Sequence, residues 1–101
     1  MSIGEYIRTL RHDKEKTLHQ VSVKTDIDSP LLSKIERGER LPTKEQIKKL
    51  SKFYGIDKFM LETKCTAERI LRDYGANVIT YNAVVMVQEA LHKYSVKETD
   101  K

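Results

Sequence analysis

The sequence predicts an all-α protein. Three observations carry that prediction. Apolar residues recur at three- and four-residue spacing along most of the chain. Threonines and aspartates stand just ahead of these segments, twice with a glutamine three residues on. No stretch alternates polar and apolar residues for long enough to build a strand. At 101 residues a single domain buries roughly two-thirds of the surface its unfolded chain exposes. Such a chain holds a modest core without metal or disulfide support.

The first helix spans about residues 2–15, with Ile3, Ile7 and Leu10 on one face and Tyr6 beside them. The second opens at Thr17 and ends near Thr25. Thr17 and Gln20 fit a capping box, and Val21 marks the buried side. The third runs over residues 28–37. Asp28 is its N-cap, Ile27 and Leu32 its hydrophobic staple, and Pro30 falls in the first turn, where a missing N–H costs little. Leu32 and Ile35 point inward, and Gly38 supplies the left-handed residue that ends the helix. Leu41-Pro42 is an extended link.

Thr43 and Gln46 form another capping box, opening a fourth helix to Tyr54 with Ile47, Leu50 and Phe53/Tyr54 as its core face. Gly55 ends it. Asp57 caps a fifth helix over residues 58–74, with Ile56 and Leu61 as staple and Phe59, Leu61, Ile70 and Leu71 as apolar positions. Its Thr63–Thr66 stretch admits a break. Gly75 stops it.

A last helix, residues 78–94, carries Val78, Tyr81, Val84, Val85, Val87, Ala90, Leu91 and Tyr94, a wide apolar surface for a terminal helix. It either lies on the core as a lid or meets a second copy. In the latter case Val84, Val85, Val87, Leu91 and Tyr94 are the dimer-contact candidates. The tail, Ser95–Lys101, is polar and expected to fray. The chain thus divides into residues 1–74 and a C-terminal part, 75–101.

The formal net charge is +4, and it is unevenly placed. Residues 1–55 carry 12 Lys/Arg against 8 Asp/Glu, whereas residues 56–101 carry 7 of each. A basic half supplies the salt-dependent, sequence-independent part of an attraction to nucleic acid. The lone Cys65 has no disulfide partner in the chain and reads as a small buried hydrophobe. With no secretory leader, this implies a reducing cytoplasm. No apolar run reaches the length of a membrane span. His12, His19 and His92 have no metal-ligand spacing, and neither a phosphate-binding glycine loop nor a nucleophile motif occurs. The expectation is a protein without catalytic activity, cofactor or metal.

Between Thr17 and Arg40 two short capped helices are joined by a tight turn, and the second ends in Ser33-Lys34-Ile35-Glu36-Arg37-Gly38. In this string, with Pro42 and the helix after it, the chain resembles the Cro/repressor-like (XRE-like) helix-turn-helix regulators over residues 3–62. The resemblance implies a five-helix repressor-like DNA-binding bundle, here with an additional C-terminal helix. It also implies double-stranded DNA as partner, residues 28–37 as the recognition helix, and a homodimer on a palindromic operator. The N-terminal part of such a helix faces base edges. Ser29, Pro30, Ser33 and Lys34 take those positions. Lys34 can donate to guanine O6 and N7, and Pro30 has only a methyl contact to offer. The serines have an alternative as ordinary solvent-facing residues, and Lys34 as a phosphate contact.

Phosphate contacts fall to Thr17, to the first turn of the second helix at Leu18 and His19, and to Arg37, Arg40 and Lys44 around the recognition helix exit. A solvated face is the alternative for each of these basic groups. In the family a basic residue of the first helix commonly pairs with the glutamate near the end of the recognition helix; the matching residues are Arg11 and Glu36. Three positions depart from the pattern: Leu18 for a phosphate-contacting glutamine, Asp26 for the usual turn glycine, and Ser22 for a small alanine. An antitoxin-type interaction module on the same fold is the rival reading, favoured by the apolar last helix.

Overall fold

A computed structural model of the chain describes residues 2–99. It holds six helices: α1 (Ile3–Asp13), α2 (Leu18–Thr25), α3 (Ser29–Glu36), α4 (Lys44–Tyr54), α5 (Lys58–Tyr74) and α6 (Val78–Thr99). No strand occurs among the described residues. Contacts divide the chain between Arg69 and Ile70, inside α5, whereas the sequence reading places the boundary at Gly75.

Local chemistry sets each helix start. Ser2, Thr17 and Thr43 each build a full capping box, with Glu5, Gln20 and Gln46 respectively. Asp28 accepts from the Leu31 amide at 2.8 Å, and Asp57 accepts from the Phe59 amide at 3.1 Å. These side chains satisfy donors that would otherwise be orphaned at a helix start. At the end of α3 the backbone turns through Gly38 at φ 78°. There the Gly38 amide donates to the Ile35 carbonyl and Glu39 to Lys34, the paired bonds of a Schellman motif.

The core of the first unit collects Ile3 and Ile7 from α1, Val21 from α2, and Leu32 and Ile35 from α3. Ile27 enters from the turn, Ile47, Leu50 and Tyr54 from α4, and Leu61 and Cys65 from α5. Tyr6, Leu10, Leu18 and Phe53 pack around its edge. A second link ties α5 to α1, where Glu68 accepts from the Ile3 amide at 2.8 Å.

Three expectations change. The first helix is shorter than residues 2–15, because Lys14 caps it and Glu15 turns through φ 53°. α5 is unbroken: the Thr63 and Thr66 hydroxyls donate back to the Phe59 and Glu62 carbonyls, so the threonines are held inside the helix. Of the apolar positions on α5, Leu61 is buried with Cys65 on the side that meets the core, whereas Phe59 is exposed. The last helix continues past Tyr94 to Thr99, so the backbone of Ser95–Thr99 is helical where fraying was expected; Asp100 and Lys101 lie outside the described residues. Along α6, Thr80 is the one buried side chain among those described, and Val84, Val85, Val87, Leu91 and Tyr94 are all exposed.

Cys65 is buried, and that burial pushes its thiol up to about 11. A raised folded-state value favours the protonated form, so this contribution to stability is complete below the unfolded thiol range. It is lost as pH rises through the folded value. The expected results are negligible labelling of native Cys65 by a thiol reagent at pH 8, full labelling in denaturant, and stability that declines above about pH 9. Rapid labelling of the native protein would contradict this burial.

Candidate nucleic-acid interface

The segment from Thr17 to Arg40 is built so that one face of α3 is left free. α2 packs on α3 and α4, and α1 packs on α3. Between α2 and α3 the chain reverses at Asp26, which sits in the left-handed region at φ 58°, ψ 29°; its amide donates to the Ser22 carbonyl at 2.9 Å. Aspartate tolerates this conformation better than most residues, so the turn forms without the glycine common in the family. Lys49 lies 3.8 Å from the Asp26 carboxylate. Ile27 is buried immediately after the turn and anchors it.

On α3, Leu32, Ile35 and Glu36 are buried. Advancing 100° per residue from that side places Pro30, Lys34 and Arg37 on the opposite face, and all three are exposed. Ser29 and Ser33 are half-buried at its edge. The four residues expected to meet base edges thus share the outer half of one helix. Lys34 and Arg40 enter no ion pair among the described residues. Arg37 does: its Nε lies 2.7 Å from Glu39, and both side chains are about half exposed (54%). An exposed pair is worth little, so Arg37 can exchange Glu39 for a phosphate. It offers less net attraction than an unpaired arginine.

At the start of α2 the capping box occupies the Thr17 and Gln20 amides. The amides of Leu18 and His19 are left as the orphan donors of the first turn, at the positive end of the helix dipole. The Leu18 side chain packs against the core instead, so its contribution here is its backbone N–H. His19 is exposed. Lys44, also exposed, begins α4 beside another capping box.

Arg11 and Glu36 form a two-pronged pair. Arg11 Nε donates to Oε2 at 2.8 Å and Nη2 donates to Oε1 at 3.0 Å. The third prong, Nη1, donates to the Lys16 carbonyl at 3.0 Å. One guanidinium therefore joins α1, the end of α3 and the residue that leads into α2. The side chains are 12% and 5% exposed. The bond to Glu36 raises the Arg11 pKa above its already high value, against the effect of burial. Glu36 thus arrives at the end of α3 with its negative charge paired to Arg11, as an acid close to a phosphate backbone requires. Nearby, burial and the negative Glu36 push the Tyr54 phenol up to about 12.

Three features of this assembly escaped the sequence reading. Glu39 pairs with Arg37, and Arg11 reaches Lys16. Gly4 is the third: a Cβ there would strike the Ile35 carbonyl oxygen and lie 2.7 Å from that of Glu36. A glycine inside a helical pattern signals such a close approach, although it does not name the partner.

Two capped helices, a left-handed turn and an outward basic face on the second helix define a helix-turn-helix DNA-binding unit. The helix-turn-helix domain model matches residues 2–62, more than half of the chain, and the chain belongs to that family. No curated protein and no solved structure matches it significantly. Among the described residues no helix is long and apolar enough to cross a membrane, and no cluster of His, Cys, Asp or Glu could hold a metal ion.

Proposed function

We propose that this chain is a cytoplasmic, sequence-specific transcriptional regulator of the Cro/repressor-like (XRE-like) type, with no catalytic role. α3 enters the major groove of a palindromic operator and a homodimer occupies the site, repressing the promoter beneath it. The single observation that carries this is the exposure of Pro30, Lys34 and Arg37 on one face of α3 while its opposite face is locked by Leu32, Ile35 and the Glu36–Arg11 pair. Base reading belongs to Ser29, Pro30, Ser33 and Lys34. Phosphate anchoring belongs to Thr17, the Leu18 and His19 amides, Arg37, Arg40 and Lys44. Half-site centres lie about one helical turn apart, roughly 34 Å. Autoregulation and control of restriction–modification genes are both compatible with a regulator of this size. The exposed apolar side of α6 also suits an antitoxin-type partner, and a chain that purifies alone as a soluble dimer speaks against that reading.

Two substitutions sort the contacts. Lys34→Ala is expected to relax preference at one base position, losing roughly 1–3 kcal/mol of discrimination there. Arg40→Ala is expected to weaken all sequences alike and to flatten the slope of log K against log salt by about one. Binding titrations on a panel of single-base operator variants at several salt concentrations check both. A change of base preference in Arg40→Ala would overturn the assignment.

A further inference from the structure

A shallow cleft opens on the outer side of α2, where that helix meets α4. Lys16, His19, Gln20, Val23 and Lys24 line one side of it and Phe53 the other. Val21 and Thr25 take the buried side of α2. Advancing 100° per residue puts Val23 on the opposite side, and it is 66% exposed. A single exposed valine is ordinary. Here it shares a concavity with Phe53, whose ring packs edge-on against buried Tyr54 with 4.9 Å between centroids. That contact fixes the far wall.

The rim carries one sign of charge. Lys16 and Lys24 are exposed, and neither enters an ion pair among the described residues. Exposed lysines line an apolar wall with their methylene stems and carry the ammonium outward. Lys52, next to Phe53 on α4, is exposed as well. Among the described residues no aspartate or glutamate lines the cleft, and α2 has none in its length. The nearest in sequence, Glu15 and Asp26, lie outside the lining, and Asp26 faces Lys49.

Size and chemistry narrow the occupant. The cleft measures about 260 Å³, below the roughly 300–1,000 Å³ of small-molecule sites, yet it admits an inserted side chain. A phosphate backbone would meet the lysines and leave Val23 and Phe53 with nothing apolar to cover them. An uncharged apolar segment would crowd two ammonium groups without pairing them. An apolar side chain flanked by carboxylates matches both parts of the surface.

We propose that this cleft docks an acidic segment of a partner protein. One aliphatic or aromatic side chain inserts between Val23 and Phe53, and neighbouring Asp or Glu residues meet Lys16 and Lys24. His19 belongs to two surfaces, its backbone amide to the phosphate anchor and its side chain to the cleft. The remaining cleft residues take no part in the DNA contacts assigned above, so the proposal does not depend on them.

Selection of binders to the full chain from a displayed library of random short peptides tests this. The expected result is enrichment of peptides that place Asp or Glu on both sides of a Leu, Ile or Phe. Their binding should weaken as salt rises, and by roughly tenfold in each of Val23→Ser and Lys24→Glu. Circular dichroism confirms that both variants remain folded; both positions are exposed. Val23→Ser should bind a DNA duplex as the wild type does. A pool that emerges unenriched, enriched peptides without acidic residues, or acidic peptides that bind both variants at wild-type strength would overturn the proposal. Weakened DNA binding in a folded Val23→Ser would also overturn it, by making the cleft part of the nucleic-acid surface. A chain that binds the acidic peptides and no DNA would uphold the cleft and overturn the reading of α3.

Discussion

Glu36→Ala is expected to lower stability by about 3 kcal/mol and to weaken DNA binding as a consequence. The variant leaves the Arg11 guanidinium at 12% exposure without the carboxylate that took two of its hydrogen bonds. Removing one partner of a buried pair commonly costs about 3–5 kcal/mol, because the remaining charge is stranded away from water. The lower end applies here, since Arg11 keeps its bond to the Lys16 carbonyl and has some access to solvent. In a unit this small such a loss moves the melting temperature by more than about 10 °C. The double variant Arg11→Met, Glu36→Leu removes both charges and is expected to recover much of the loss, because a buried ion pair is worth little more than apolar groups of similar volume. A Glu36→Ala protein that melts normally and yet fails to bind would place Glu36 at the DNA and overturn its structural role.

Gly4→Ala is expected to be as damaging, and its sign is diagnostic. By helix propensity alone, alanine in place of glycine stabilises a helix by up to about 1 kcal/mol. At Gly4 the added carbon meets the Ile35 and Glu36 carbonyl oxygens, which are backbone atoms and cannot rotate aside. α1 and α3 must separate, which loosens Ile3 and Ile7 against Leu32 and Ile35 and stretches the Arg11–Glu36 bonds. Overpacking of this kind costs roughly 1–3 kcal/mol, so the net change is a loss despite the gain in propensity. Gly4→Val is expected to be worse. Chemical denaturation measures both, and a Gly4→Ala variant more stable than the wild type would show that the two helices lie farther apart.

Much of the fold was legible because its signals are local. Thr17 with Gln20, Thr43 with Gln46, and Asp28 ahead of Pro30 announce helix starts through bonds made within three residues, and each of these bonds is present. Positive-φ residues end helices at Gly38 and Gly55, and the left-handed Asp26 forms the turn. The outward face of α3 follows from helical period once Leu32 and Ile35 are placed inside. What was not legible depends on distances between segments remote in sequence. Gly4 looks like any helical residue until α3 is laid across it. Glu68 reads as a surface acid until α5 brings it to the Ile3 amide. Phe59 and Leu61 read alike as apolar positions of α5, and only the packed structure shows that Leu61 and Cys65 fill its core side while Phe59 stays exposed. The Arg11–Glu36 pair came from the family resemblance; nothing in the spacing of those two residues announces it.

Selection of bound sequences from a random pool of double-stranded DNA by the full chain is the decisive test of base reading by α3. The expected result is enrichment of an inverted repeat whose half-site centres lie about 10 base pairs apart, with Lys34→Ala selecting the same repeat but with one position in each half-site relaxed. A pool that emerges unenriched, at salt low enough for the basic first unit to hold DNA at all, would contradict it.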